Sequence, residues 1–298
     1  MKAKKIIICV VSVLTAYSVS AYAQGMYFPS PNGMETAYSY SGGGFKSVVS
    51  GYSAYYGGVT ASGFKTYASA AYDETKSSAR GYFPDYLARA SVSLGCASKV
   101  SSAEMYVRSS SDDIFRSLRE TDLGVNYARD VYTDGIGGVW LFTLNYSTRR
   151  SFWKGMPVPF AAYRYASGKL FVMAPFFASY GFADNMSLSF TWRPVKYYEA
   201  ALKWTKSDSF SLSLTGGSYM DEYLPAARAD EDESLYLERG RAALRPEWKL
   251  FGGGVRVHVS AGWEFGGCYY TGRNYDEKHG RVGLSSGPSA GAGIKYAF

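Results

Sequence analysis

The sequence is poor in the residues that most enzymes work with. Its 298 residues include only two histidines, His258 and His279, and three cysteines, Cys9, Cys96 and Cys268. No Cys-x-x-Cys, His-Glu-x-x-His, Gly-x-Ser-x-Gly or phosphate-loop pattern occurs. No metal centre, hydrolase elbow or nucleotide cradle is therefore indicated, and no cofactor is expected. Charged residues make up 19% of the chain, below the roughly 25% of ordinary soluble domains. The cations are scattered, which speaks against a nucleic-acid partner. Beyond Gln24 no apolar run approaches the length of a membrane-spanning helix. Helical periodicity is scarce too. One segment, Asp112 to Glu120 after Ser111 as a cap, fits two helical turns.

Aromatics and glycine are abundant instead, with 28 Tyr, 17 Phe and 33 Gly. Tyr and Phe favour strands, whereas Gly disfavours helices, so the composition predicts an all-β chain with many turns. The formal net charge of +7 is inflated by Lys2, Lys4 and Lys5. These open a basic stretch that leads into the apolar run Ile6 to Leu14 and the small-x-small site Ala21-Tyr22-Ala23. That is the layout of a cleaved secretory signal peptide over residues 1–23, with cleavage before Gln24. The apolar run is too short to span a bilayer, which needs about 20 residues. Export permits a disulfide, but Cys96 and Cys268 show no spacing that demands one.

Past residue 24 the dominant period is two. Val255, Val257, Val259, Ala261, Trp263 and Phe265 alternate with Arg256, His258, Ser260, Gly262 and Glu264. Upstream, Ala242, Leu244, Pro246, Trp248 and Leu250 alternate with Arg241, Ala243, Arg245, Glu247 and Lys249. A two-residue turn at Gly252-Gly253 pairs Trp248 with Val257, Ala242 with Trp263, Glu247 with His258 and Arg241 with Glu264. A turn one residue longer would set Lys249 against Val257 and break both faces. The same reasoning predicts a turn at 183–185 with Tyr180 opposite Leu188. It also predicts a three-residue turn at 206–208 with Trp204 opposite Phe210 and Leu202 opposite Leu212. Weaker alternation runs through Phe64 to Tyr72, Ala88 to Leu94 and Trp140 to Tyr146.

Strands of about ten residues, apolar on one face and polar on the other, suit a transmembrane barrel. A secreted soluble β-sandwich shows the same period with its apolar face inward. Aromatics near strand ends favour the barrel, as an interfacial girdle of Trp192, Tyr197, Tyr198, Trp204, Trp263, Tyr269 and Tyr270. The final stretch SAGAGIKYAF ends on Phe298 with Tyr296 two residues earlier. It resembles the assembly signal of outer-membrane barrels, which the barrel-assembly machinery reads. The run from Met156-Pro157-Val158-Pro159 through Arg193-Pro194, and Leu237 to Phe298 with Gly287-Pro288, resemble a family of uncharacterised bacterial outer-membrane β-barrel proteins. That resemblance implies a fold and a compartment over residues 24–298. It implies no activity.

The expected architecture is an antiparallel up-and-down transmembrane barrel of about 12 strands, with 10–14 admissible, because bacterial barrels take even numbers. The short turns then face the periplasm. The stretches Met220 to Ser234 and Thr271 to Gly280 become outer loops. Pro175 and Pro246 each remove a ladder hydrogen bond, and bulges are expected there.

Candidate chemistry is thin, and the chain is not expected to be an enzyme. His258, Ser260 and Glu264 faintly resemble the set used by outer-membrane lipid A deacylases. However, residues at i and i+2 stand about 7 Å apart along a strand, and this face points inward. Glu247 is the partner expected for His258. The better lead is the lumen set Arg241, Arg245, Glu247, Lys249, Arg256, His258, Glu264 and Lys295. It suits a narrow pore passing small solutes or ions, or the filled lumen of a structural scaffold. A surface-binding role for the outer loops is a third reading. Outer-membrane lipids are the expected surroundings.

Overall fold

The computed structural model describes residues 33–42, 47–59, 65–78, 81–149, 153–193, 197–250 and 254–297. The export segment 1–23, the turn glycines 252–253, Phe64 and Phe298 lie outside the described residues.

The strands are β1 (Gly33–Ser41), β2 (Ser47–Val59), β3 (Lys65–Ser77), β4 (Tyr86–Ala97), β5 (Ser101–Ser111) and β6 (Thr121–Thr133). They continue as β7 (Val139–Ser147), β8 (Val158–Ser167), β9 (Leu170–Ala174), β10 (Phe177–Ala183), β11 (Met186–Arg193) and β12 (Tyr197–Ser207). The last are β13 (Phe210–Tyr223), β14 (Ser234–Leu250), β15 (Val255–Gly272), β16 (His279–Gly283) and β17 (Gly287–Ala297). Each pairs antiparallel with its neighbours in chain order, except that β16 and β17 do not pair with each other. β1 also pairs with β17, from Gly33 opposite Ala297 to Ser41 opposite Ser289, which closes the sheet.

β16 and β17 both lie on β15, β16 beside Cys268 to Thr271 and β17 beside Val255 to Glu264. They are one lane interrupted at 284–286, so the barrel has 16 lanes rather than about 12. The shortfall arose in the first half of the chain. There the outward positions of β2 and β5 include Ala54, Ala103 and Ser109, and the apolar alternation is faint. A single closed sheet also excludes the β-sandwich, which needs two.

An even lane count puts both chain ends at one end of the barrel. The turns 184–185 and 208–209 are also there (the turn end). The segments 224–233 and 273–278 lie at the opposite, loop end. These segments are shorter than expected because β13 extends to Tyr223, β14 starts at Ser234, β15 runs to Gly272 and β16 starts at His279.

The 241–264 hairpin has the expected register, with Trp248 opposite Val257, Ala242 opposite Trp263, Glu247 opposite His258 and Arg241 opposite Glu264. Tyr180 stands opposite Leu188, also as expected. The β12–β13 hairpin differs. Trp204 opposes Leu212 and Leu202 opposes Leu214, because the turn tightens to 208–209 and the register shifts between Thr205 and Ser207. The extra residue is absorbed as a bulge, and the two-residue turn suits the strand twist.

Pro246 sits within β14, and the register from Leu244–Ala261 to Glu247–His258 is unshifted across it, so no bulge forms there. Pro175 falls in the connection 175–176, outside either strand. No helix forms at Asp112 to Glu120. Phe115 takes φ 55°, and the hydroxyls of Ser109, Ser111 and Ser117 accept hydrogen bonds from the backbone N–H groups of Phe115, Asp113 and Arg119. Side-chain acceptors of this kind compete with helical ones.

The outward face carries a continuous apolar row. Leu170, Tyr180, Leu188, Leu202, Leu214, Leu244, Ala261, Ala290, Tyr40 and Val48 are successive cross-strand partners over ten lanes. Of the expected girdle, Trp192, Tyr198 and Trp263 are outward and exposed, and Trp204 is outward and half-buried. Tyr197 instead pairs inward with Tyr219. Tyr269 and Tyr270 are fully buried. Tyr270, on the outward side, is covered by Tyr236, Met220 and Tyr275. For Tyr269 the reason is a register shift between Glu238 and Gly240, where Arg239 faces the two residues Gly266 and Gly267. The bulge exchanges the faces of β15 beyond Phe265 and turns Tyr269 inward.

Closure by β1 has a direct test. Directly opposed residues lie about 4.5–5.5 Å apart, so Tyr38→Cys with Ala292→Cys, in a Cys96→Ser, Cys268→Ser background, should oxidise to an intramolecular disulfide. A barrel closed by any later strand leaves that pair reduced on a non-reducing gel.

Candidate functional site in the barrel lumen

The interior face is identified by contacts that cross the barrel. Arg89 on β4 binds Asp73 on the adjacent β3 at 3.0 Å and also pairs with Asp221 on β13. β4 and β13 are seven lanes apart, so the second contact can only run through the interior. Asp221 also pairs with Arg239 on β14 at 3.1 Å, and Arg239 approaches Glu264 on β15 at 3.6 Å. Ser41 on β1 donates to Glu264 at 2.5 Å. Asp73, Arg89, Asp221, Arg239 and Glu264 thus form one chain of alternating charge from wall to wall. Each charge is flanked by opposite charges, which offsets much of the desolvation cost of holding ions away from bulk water.

A backbone contact pinches the same end. The N–H of Leu224, just past β13, donates to the carbonyl of Ser110 on β5 at 2.6 Å. Ser110 Oγ donates to the carbonyl of Glu222 at 3.0 Å. β5 and β13 stand on opposite sides of a 16-lane ring, so the loop end is drawn together across its middle. Beneath this contact the inward side chains of Leu87, Tyr223, Leu235, Leu237 and Tyr269 form an apolar cluster with Phe83 from the 78–85 connection. Tyr82 of that connection stacks edge-on against Tyr269 and donates to the carbonyl of Gly280 at 2.8 Å.

The segment 224–233 straps the loop end. Arg228 donates to the carbonyl of Arg119 at 2.7 Å and faces Glu120 at 3.5 Å, with both side chains buried. Glu231 binds Arg119 at 2.7 Å, Asp230 binds Arg273 at 2.8 Å, and Asp232 pairs with Lys154. The backbone N–H of Asp232 and the Arg273 guanidinium hold the Asp230 carboxyl below its usual range. The Lys154 ammonium does the same for Asp232.

The lumen set from the sequence sits on this interior face, toward the turn end. Arg241, Arg245, Glu247 and Lys249 share the parity of Arg239 on β14. Arg256, His258 and Glu264 oppose them on β15, and Lys295 opposes Arg256 from β17. Arg256 binds Glu247 at 2.9 Å. Arg245 lies 3.8 Å from Glu247 and 4.0 Å from Glu35 on β1. His258 pairs through Nδ1 with Arg245 at 3.0 Å rather than with Glu247. Its ring lies over Gly293 of β17, where a Cβ would come within 2.4 Å of it. Among the described residues the buried Nε of Arg241 has no hydrogen-bond partner.

A hydrolytic set is not assembled on β15. His258 is engaged by Arg245, and Glu264 by Ser41 and Arg239. Ser260 points at the Gly291 position of β17. Cys96 and Cys268 are both free thiols. Among the described residues no three His, Cys, Asp or Glu side chains are grouped to hold a metal ion.

Arg89, Asp221 and Arg239 escaped the sequence reading. Arg239 continues the inward parity of Arg241 and Arg245 and was accessible by extending that alternation one step. Arg89 and Asp221 are 132 residues apart, and no sequence period joins them.

No family model matches the chain. No curated protein matches it in sequence. The resemblance to one particular family of uncharacterised barrels thus gains no support. Solved structures with a similar path are outer-membrane β-barrel proteins of several kinds. An outer-membrane channel from Pseudomonas putida F1 is 8% identical, with 93% of this chain and 99% of that chain covered, at a TM-score of 0.40. The transport unit of the autotransporter AIDA-I from Escherichia coli is 10% identical, covering 96% and 97%, at 0.29. The outer membrane protease OmpT from Escherichia coli is 9% identical, covering 92% and 99%, at 0.24. Likenesses this weak settle neither activity nor compartment.

The strap has a pH signature. Asp230 and Asp232 have folded-state values below the ordinary 3.8, so their contribution is complete above that value. It is lost as pH falls through the lower folded values. Hydrogen exchange at the Asp232 N–H, which donates to Asp230, should show a protection factor that stays constant from pH 7 down to about pH 3.8 and falls only below it. A protection factor unchanged below that value would show that these ion pairs do not hold the strap.

Proposed function

We propose that this chain is an integral outer-membrane β-barrel protein forming a narrow pore, constricted at its loop end by its own side chains. The observation that carries the membrane reading is the apolar row over ten successive lanes of the outward face. Monomeric proteins in water rarely expose contiguous apolar surface on that scale. Residues 1–23 would direct export and be removed before Gln24. The short turns would face the periplasm. Outer-membrane lipids would surround the apolar belt, and the assembly machinery would read Tyr296 and Phe298. Tyr296 lies on the outward face between Met34 and Val255.

The pore reading rests on lane count set against filling. Barrels of 16 strands enclose an aqueous channel unless something occupies it. Here the Asp73–Arg89–Asp221–Arg239–Glu264 bridge and the Leu87–Tyr223–Leu237–Tyr269 cluster occupy the loop end, while the turn end is lined by charged side chains. The chain is read as non-enzymatic, because His258 and Glu264 are both engaged away from Ser260. A structural scaffold is the second reading, favoured by the apolar cluster within the lumen.

Two measurements test this. Leu244→Arg places a charge on the lipid-facing row, at a cost of about 2–4 kcal/mol if near the midplane. It should abolish the folded band of unboiled protein on a detergent gel, whereas normal folding would remove the membrane reading. In planar bilayers the refolded protein should show small conductance steps. Deleting 225–232 or changing Asp221→Ala should enlarge them, because each removes a contact that closes the loop end. Silence from wild type and both variants would establish the scaffold.

A further inference from the structure

The turn-end wall carries an excess of positive charge that the fold does not use. Lys249 on β14 stands directly opposite Arg256 on β15, Arg256 opposite Lys295 on β17, and Lys295 opposite Glu35 on β1. Three cations are therefore consecutive cross-strand neighbours on one face, an arrangement that destabilises a sheet. Two lanes beyond β14, Lys203 of β12 opposes Ser213 of β13, which opposes Arg245. Glu35 and Glu247 are the carboxylates among these cations, and both are engaged by arginine. Arg256 holds Glu247 at 2.9 Å, and Arg245 reaches Glu247 at 3.8 Å and Glu35 at 4.0 Å. Among the described residues Lys249 and Lys295 form no ion pair.

The loop end is balanced by comparison. There Arg89 and Arg239 are set against Asp73, Asp221 and Glu264. On the turn-end wall from β12 round to β1, five cations (Lys203, Arg245, Lys249, Arg256 and Lys295) stand against two carboxylates, whereas on the facing wall Lys65 and Arg164 are matched by Glu104 and Asp130, so the excess is localised to one side of the lumen. A charged wall backed by a low-dielectric surround focuses its field into the cavity and concentrates counter-ions there. Guanidiniums and ammoniums together suit carboxylate and phosphate groups.

From this we infer that the turn-end half of the lumen is an anion-selective vestibule that admits small solutes bearing carboxylate or phosphate and repels cations. The inference rests on the pore reading and adds its substrate class.

The test uses the full-length mature chain in a planar bilayer under a KCl gradient. The wild-type reversal potential should lie on the chloride side, with chloride favoured over potassium by at least about threefold. Lys249→Glu with Lys295→Glu turns five cations and two carboxylates into three and four, and should move the reversal potential to the potassium side. Lys249→Gln with Lys295→Gln should fall between. Neither lysine makes an ion pair, so the folded gel band should persist; if the Glu pair fails to fold, the Gln pair carries the comparison. Inorganic phosphate should reduce chloride current in wild type and do so less in the Glu variant. A wild-type potential at or beyond zero toward potassium, or one that neither lysine pair moves, overturns the inference while leaving a pore. Absence of conductance in wild type, the 225–232 deletion and Asp221→Ala removes the pore and the vestibule together.

Discussion

The ladder that joins β1 to both β2 and β17 leaves neither edge of the sheet unpaired, and much of the rest follows from that closure. Strand edges present unpaired N–H and C=O groups, which water satisfies in a soluble protein and hydrocarbon cannot. Closing the ring removes the edges, and with them the need for a second sheet or a covering helix. It also sorts the side chains. Because direction alternates with every residue, each strand sends half its residues outward and half inward. Leu188, Leu202, Leu214 and Leu244 line up on one side of the wall, while Ser187, Lys203, Ser213 and Arg245 line up on the other. In a membrane such a chain would need few charges overall, because only one face of its wall would meet water.

Sorting by parity explains why the 241–264 hairpin was legible from sequence. Both of its faces carry strong chemistry, apolar from Ala242 to Trp248 and from Val257 to Phe265, charged from Arg241 to Lys249 and from Arg256 to Glu264. A turn of the wrong length would spoil both at once. The 197–215 hairpin was legible in its faces but not in its register. A two-residue register shift keeps every side chain on its own face, and hydrophobic pattern is blind to it. The strand total was underestimated where neither face is distinctive. β2, with Ser, Gly, Tyr and Val on both sides, has no contrast for alternation to display. Tyr269 was misplaced by a bulge two residues upstream, which sequence alternation carries straight through.

The interior bridge was out of reach for a different reason. Asp73 and Arg89 are cross-strand partners of the β3–β4 hairpin, a relation that a local pattern can express. The Arg89–Asp221 pair depends on how wide the ring is and where it is pinched, which no local pattern encodes. The pinch is a backbone contact between Leu224 and Ser110, reinforced by one serine hydroxyl, and in a chain with many serines that leaves no distinctive trace. The 112–120 segment, which reads as helical, is drawn into the same contact. Asp112 accepts the N–H of Ala226 at 2.7 Å, and the hydroxyl of Ser109 takes the N–H of Phe115.

Closure and filling pull the molecule in opposite directions, and the balance differs along its axis. Sixteen lanes make a ring too wide for inward side chains of ordinary length to meet across it. A ring of that width either stays wet or must be narrowed. At the loop end it is narrowed by main-chain contact and packed with Leu87, Leu237, Tyr223 and Tyr269. The charges there alternate in sign, as they must where water is scarce and an unpaired ion costs several kcal/mol. At the turn end Lys249, Arg256 and Lys295 stand side by side, a grouping tolerable only where water and mobile counter-ions reach it. On the pore reading, the change from paired charge at the loop end to the unpaired Lys249 and Lys295 marks where a dry constriction would give way to a wet vestibule. Gly291 and Gly293 of β17 leave room for Ser260 and His258 to lie against the wall, which keeps both side chains close to the sheet.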